Sequence, residues 1–122
     1  MEWLKISTST VLVRIPTEDI VYIKAEGNYS NLYLVNKNKD DPYRMLFQLH
    51  YFDDAFKNLK NNFFIRVGKS LIVNKNYICA IDVNIHSLRL YGSRLHSDFI
   101  LKASREALKE LKALIEQEGD RI

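Results

Sequence analysis

A single cysteine, Cys79, stands in this 122-residue chain, so no disulfide can close within it. That fits a reducing compartment. Proline and glycine are also scarce, at two and four residues. The glycines are scattered, which rules out a Walker loop and a dinucleotide-binding fingerprint. Nowhere does the chain approach the ~20 consecutive apolar residues that a membrane helix needs. The opening MEWLKISTST carries an acid at position 2 and no apolar run, so it does not read as a secretory signal. Together these absences give the expectation of a cytoplasmic protein with no membrane contact.

Strong charge of either sign is missing too. Eighteen Lys and Arg against fifteen Asp and Glu leave a net charge of +3. Such a balance permits an anionic partner without demanding one. Its distribution says more than its sum. Between residues 65 and 105 the cations are Arg66, Lys69, Lys75, Arg89, Arg94, Lys102 and Arg105, and the only acids are Asp82 and Asp98. The later half is therefore the electropositive half.

Chemistry-bearing constellations are equally sparse. His50, His86 and His96 lie far apart, with no Cys, His or carboxylate at metal-ligand spacing. Cys79 sits in an apolar run and is expected to be a small buried hydrophobe, with no local base or cation to make it a nucleophile. Asp40-Asp41 falls in a polar loop and Asp53-Asp54 at the start of a helical segment, so solvation and helix capping account for both pairs. The expectation is a non-enzyme with no cofactor, metal or evident small-molecule ligand.

Many short strands and two short helices are present, in a chain whose length fits one domain over residues 1–122. The runs TVLVRI (10–15), IVYIKA (20–25), LYLV (32–35), YRMLFQL (43–49), FIRV (64–67), LIV (71–73), YICAIDV (77–83), SLRLYG (87–92) and RLHSDFIL (94–101) read as strands. NKNKDDP (36–42) is a polar loop between two of them. Phe52, Ala55, Phe56 and Leu59 recur at helical spacing, predicting a helix over 52–62 with Asp53 and Asp54 in its first turn. Ala107, Leu108, Leu111, Leu114 and Ile115 form one apolar stripe, predicting a C-terminal helix capped by Ser104 and ended by Gly119. The fold class is mainly β with two short helices.

The order of three segments then narrows the reading. DIVYIKAEGNYSNLYL (19–34) is followed by FFIRVGKSLIVNKNYICAID (63–82), and that by LRLYGSRLHSDFILKASREAL (88–108). Ile20 to Gly27, Phe64, Arg66, Ser70, Val73-Asn74 and Ser104-Arg105 follow in sequence. This pattern resembles the LytTR domain, a bacterial DNA-binding module, over about residues 10 to 115. The resemblance implies an elongated stack of small antiparallel sheets with a C-terminal helix. It also implies a transcription regulator that reads imperfect direct repeats in double-stranded DNA, through loops that enter the major groove. Homodimers on adjacent half-sites would be compatible with such repeats. The family usually follows a phospho-acceptor receiver domain. Here the sequence starts at Met1 without one, so the expectation is a stand-alone, response-regulator-like protein.

Candidate contact residues follow, each with a plainer alternative. Ser30 and Asn31, after the Gly27-Asn28 turn, are candidates for the major groove, where asparagine pairs with adenine; the alternative is a polar hairpin turn. Many family members carry a histidine where this chain has Gly68. Lys69 and Ser70 beside it are expected to clamp phosphate, against a solvated turn. Arg66 is either a DNA contact or a strand residue facing an acid such as Glu26. Asn74 is expected to satisfy turn backbone. Arg105 is the foremost base-contact candidate, because arginine to guanine is the commonest specific pairing; the alternative is a solvated first-turn residue. Lys102 is expected at phosphate or solvent.

Two other function classes fit parts of the sequence. The apolar stripe on the C-terminal helix suits a protein-interaction module that docks a partner there. Tyr29, Tyr33 and Tyr91 would suit RNA binding by stacking, although strand packing explains them as well.

Overall fold

The computed structural model describes residues 1–118. Among the described residues, ten strands and two α-helices follow one another. They are β1 (Trp3–Ser7), β2 (Leu12–Pro16), β3 (Ile20–Glu26), β4 (Tyr29–Leu34), β5 (Tyr43–Met45), α1 (Leu49–Lys57), β6 (Phe64–Val67), β7 (Leu71–Asn74), β8 (Ile78–Asp82), β9 (Ser87–Leu90), β10 (Phe99–Lys102) and α2 (Arg105–Glu116). Short 3-10 turns at Thr17–Asp19 and Lys75–Tyr77 lead into β3 and β8. The strands form three antiparallel sheets: β1-β2, the five-stranded β5-β4-β3-β7-β6, and β10-β9-β8.

The five-stranded sheet is the middle layer, because alternate side chains leave it on opposite faces. On one face Tyr22, Val67, Leu71 and Val73 pack with Leu88, Leu90, Phe99 and Leu101 of the three-stranded sheet and with Ala107, Leu108 and Leu111 of α2. On the other, Ile20, Ile23, Leu32, Met45, Phe64 and Ile72 pack with Phe52 and Phe56 of α1 and with Leu4 and Ile15 of the β1–β2 hairpin. The two cores are cemented by aromatics. Tyr22 stacks on Tyr33 with ring centroids 4.2 Å apart, and Phe56 stacks on Phe64 at 3.9 Å. A register shift between Ile20 and Tyr22 lets Val21 and Tyr22 serve the same core.

Several boundaries differ from the sequence reading, each for a local reason. β1 was not expected, yet Leu4 and Ile6 alternate with polar neighbours and cover the second core. Helix α1 starts at Leu49 and ends at Lys57, so Asp53 and Asp54 are not in its first turn. Asp53 instead bonds Arg66 from the adjacent strand, and Asp54 pairs with Lys57 at 3.6 Å. β5 is three residues long, because the chain leaves the sheet at Leu46 to enter α1. β10 begins only at Phe99, since Arg94 reaches back to Asp19 and the Glu18 carbonyl while Asp98 holds Arg89. Cys79 is exposed rather than buried: it occupies the register shift between Ile78 and Ala80, off the alternation of its strand. The Ser104 cap is as expected, its Oγ accepting from the Ala107 amide at 3.2 Å. Gly119, expected to end α2, lies outside the described residues.

Candidate nucleic-acid interface

Four chain reversals meet at one end of the middle sheet. Gly27 takes φ +62 in the β3–β4 turn and Gly68 takes φ +61 in the β6–β7 turn, a left-handed geometry that glycine adopts without a Cβ penalty. The Ala25 amide donates to the Ser70 carbonyl at 2.8 Å, which carries the β3–β7 ladder into the second turn and sets the two turns side by side. Beyond Gly68 lies the β10–α2 junction. Gly68, Lys69 and Ser70 face Ser104, Glu106 and Glu110 across a shallow cleft. The β8–β9 turn closes the row: Arg105 Nη1 donates to Asn84 Oδ1 at 3.3 Å, Lys102 Nζ to the Ile85 carbonyl at 3.4 Å, and the Ala103 amide to the His86 carbonyl at 3.4 Å.

This end is rich in exposed cations. Lys69, Ser70, Lys102 and Arg105 are all exposed and lie on neighbouring segments of the row. None of Lys69, Lys102 and Arg105 is ion-paired among the described residues. Register extends the pattern across the sheet, where Arg44, Asn31, Lys24 and Leu71 are successive partners on β5, β4, β3 and β7. Lys24 and Arg44 are exposed at that level.

The remaining candidates have internal duties. Ser30 is 0% exposed and donates to the Phe47 carbonyl at 2.6 Å, so its hydroxyl holds the β5–α1 connection and is closed to a base. Asn31 is 3% exposed, and both ends of its amide are used: Nδ2 donates to Glu26 at 2.6 Å and Oδ1 accepts from Arg44 Nε at 3.1 Å. Asn31, expected at an adenine, is the residue that links Glu26 to Arg44. Arg66 bonds Asp53, not Glu26, and its Nη2 donates to the Lys69 carbonyl at 3.0 Å. It braces the β6–β7 turn from the α1 side. Asn74 ties strand to turn as expected, donating to the Ile20 carbonyl at 2.9 Å and accepting from the Asn76 amide at 3.0 Å.

Arg44, Lys24 and Asn84 were not singled out from the sequence. Lys24 and Asn31 sit opposite each other on β3 and β4, so the hairpin register alone could have paired them. Arg44 follows a polar loop whose length hides its register. Among the described residues, no three His, Cys, Asp or Glu side chains gather as a metal site. Among the described residues, no helix is long and apolar enough to cross a membrane.

Residues 10–116 match the family described as the LytTr DNA-binding domain, and the chain belongs to that family. The family is non-catalytic and DNA is the partner it implies. The fold is similar to a solved LytTr DNA-binding domain from Bacillus cereus, from a protein described as a methyl-accepting/DNA response regulator. The likeness has a TM-score of 0.63 at 18% identity and covers 94% of this chain and 97% of that one. No curated protein matches the chain.

Proposed function

We propose that the chain is a sequence-specific double-stranded DNA-binding transcription regulator, working in the cytoplasm on direct-repeat sites. One observation carries the reading: Lys69, Ser70, Lys102 and Arg105 lie exposed on neighbouring turns of a LytTr domain, with no acid paired to the cations among the described residues. In this reading the turns enter the major groove, Arg105 reads a base, and Lys69, Ser70 and Lys102 hold phosphate. Asn31 and Arg66 act one step back, orienting what surrounds them. Two copies occupy adjacent half-sites on the duplex.

Selection of bound duplexes from a randomised pool at moderate salt tests this directly. The expected result is an enriched pair of similar half-sites about one helical turn apart. Equal binding to unrelated duplexes by folded protein would defeat it. The protein-interaction reading loses its motive, because Ala107, Leu108 and Leu111 are buried within this chain and only Leu114 of the stripe is left 49% exposed. Of the tyrosines behind the RNA reading, Tyr33 is stacked on Tyr22, whereas Tyr29 and Tyr91 are exposed, so competition between duplex DNA and single-stranded RNA separates the two readings.

A further inference from the structure

We propose that Arg44 is a base-reading residue directed at guanine, with Glu26, Asn31 and Tyr29 as the residues that position it. The inference rests on the DNA-binding reading above and adds a contact on the opposite edge of the middle sheet from β6. The guanidinium has a defined setting. Its Nε donates to Asn31 Oδ1 at 3.1 Å, its Nη2 lies 3.5 Å from Glu26 Oε2, and its central carbon stands 5.4 Å from the centroid of the Tyr29 ring. Asn31 is itself fixed by burial and by its bond to Glu26. An arginine normally loses much rotamer freedom when it binds. Here that ordering is in place before DNA arrives, and preorganisation of this kind raises affinity.

The geometry also says which edge is on offer. Nε and one hydrogen of Nη2 face Asn31 and Glu26, so that side of the fork is engaged. The outer edge, made of Nη1 and the second hydrogen of Nη2, keeps two parallel donors. The side chain of Arg44 is 56% exposed. Two parallel N–H groups match either O6 and N7 of guanine or two phosphate oxygens. The nearby carboxylate decides between them. A phosphate brought to this edge would meet the negative charge of Glu26, whereas the guanine edge is neutral and only accepts hydrogen bonds. Tyr29 adds a flat apolar support beneath the guanidinium. Lys24, in the same register row and without an ion pair among the described residues, supplies the attraction for the backbone instead.

The test is the randomised-duplex selection, run in parallel on the unaltered protein, Arg44→Ala, Arg44→Lys and Glu26→Gln, each first shown to be folded by thermal melting. The expected result is that Arg44→Ala loses a guanine preference at one position of the half-site, about tenfold or more, while the other positions stand. Arg44→Lys should not restore it, because an ammonium lacks the fork. Glu26→Gln should weaken the preference at that same position, an effect no general loss of stability would give. An unchanged motif in Arg44→Ala, with or without uniform weakening, would overturn the inference and leave the DNA-binding reading standing. Full retention of the guanine preference in Arg44→Lys would overturn it too. If the unaltered protein enriches no sequence, the DNA-binding reading and this inference fall together.

Discussion

Gly68 in the β6–β7 turn lies against Ala107 in the first turn of α2, so that a Cβ on Gly68 would stand 3.5 Å from the Ala107 Cβ. This contact sets the spacing between the turn that carries Lys69 and the junction that carries Arg105. Adding a methyl there meets only an ordinary van der Waals distance. The cost of Gly68→Ala therefore comes from the backbone, which is held at φ +61. The expected loss is about 1–2 kcal/mol, the usual penalty for a Cβ in the left-handed region. Gly68→Asn should lose less, because asparagine tolerates that region better. Denaturant midpoints of the two variants check this, and equal midpoints for Gly68→Ala and the unaltered protein would contradict it.

Gly92 shows the opposite balance. A Cβ there would stand 2.8 Å from Tyr77 Cδ1, closer than real Cβ contacts come, and a tight 3.0 Å from Cε1. The ring cannot retreat freely, because Tyr77 is buried in the first core and its hydroxyl donates to the Glu18 carbonyl at 3.1 Å. Gly92→Ala is expected to destabilise the fold by about 1–3 kcal/mol through overpacking. The cause can be isolated with Tyr77→Leu, which removes the ring. In that background the added methyl should cost much less, giving a clear non-additive cycle. Strict additivity of the two changes would show that the clash is not with Tyr77.

Much of the fold was legible because strands covered on both faces read as short continuous apolar runs. β3, β6, β7 and the capped start of α2 fall where those runs and Ser104 put them. Legibility fails where a tertiary partner overrides a local pattern. Arg94 and Asp98 look like strand residues, but each is drawn to a partner outside β10. Asp53 looks like a helix-start acid, but it serves Arg66. The candidate site divides in the same way. Turns that need glycine mark themselves, so Lys69 and Ser70 could be found beside Gly68. Hydrogen-bond partners do not mark themselves. Ser30 and Asn31 look like exposed turn polars, and only three-dimensional contacts reveal that Phe47, Glu26 and Arg44 occupy them.

DNA binding should carry a salt signature that separates the cations by role. Lys69 and Lys102 are proposed phosphate contacts. Removing either is expected to lower the slope of log affinity against log salt by about one, with little change in sequence preference. Arg66 offers the contrast. Its guanidinium is engaged with Asp53 and the Lys69 carbonyl, so Arg66→Met should loosen the turn and weaken binding while leaving the slope nearly unchanged. Titrations over a range of salt with one fixed duplex distinguish these outcomes. A slope unaltered by Lys69→Ala would remove that residue from the phosphate contacts.

Glu2 gives the β1–β2 hairpin a dependence on acid. Its carboxylate accepts from the Lys60 amide at 2.9 Å and the Asn61 amide at 3.0 Å, fastening the first strand to the segment after α1. The hydrogen bond from Asn61, followed by that from Lys60, holds its pKa below the ordinary 4.5, against a smaller opposing effect of burial. A carboxyl whose folded pKa is depressed favours the fold in its ionised form. Its contribution is therefore fully present above pH 4.5 and is lost as pH falls through the lower folded value. Glu2→Gln keeps the shape but cannot ionise, so it should be less stable than the unaltered protein at about pH 6, with the gap closing as the pH falls below 4.5 and through the lower folded value. Denaturant melts of the pair across that range provide the measurement. A gap that stays constant throughout would mean that the charge on Glu2 contributes nothing and that only its hydrogen-bond geometry matters.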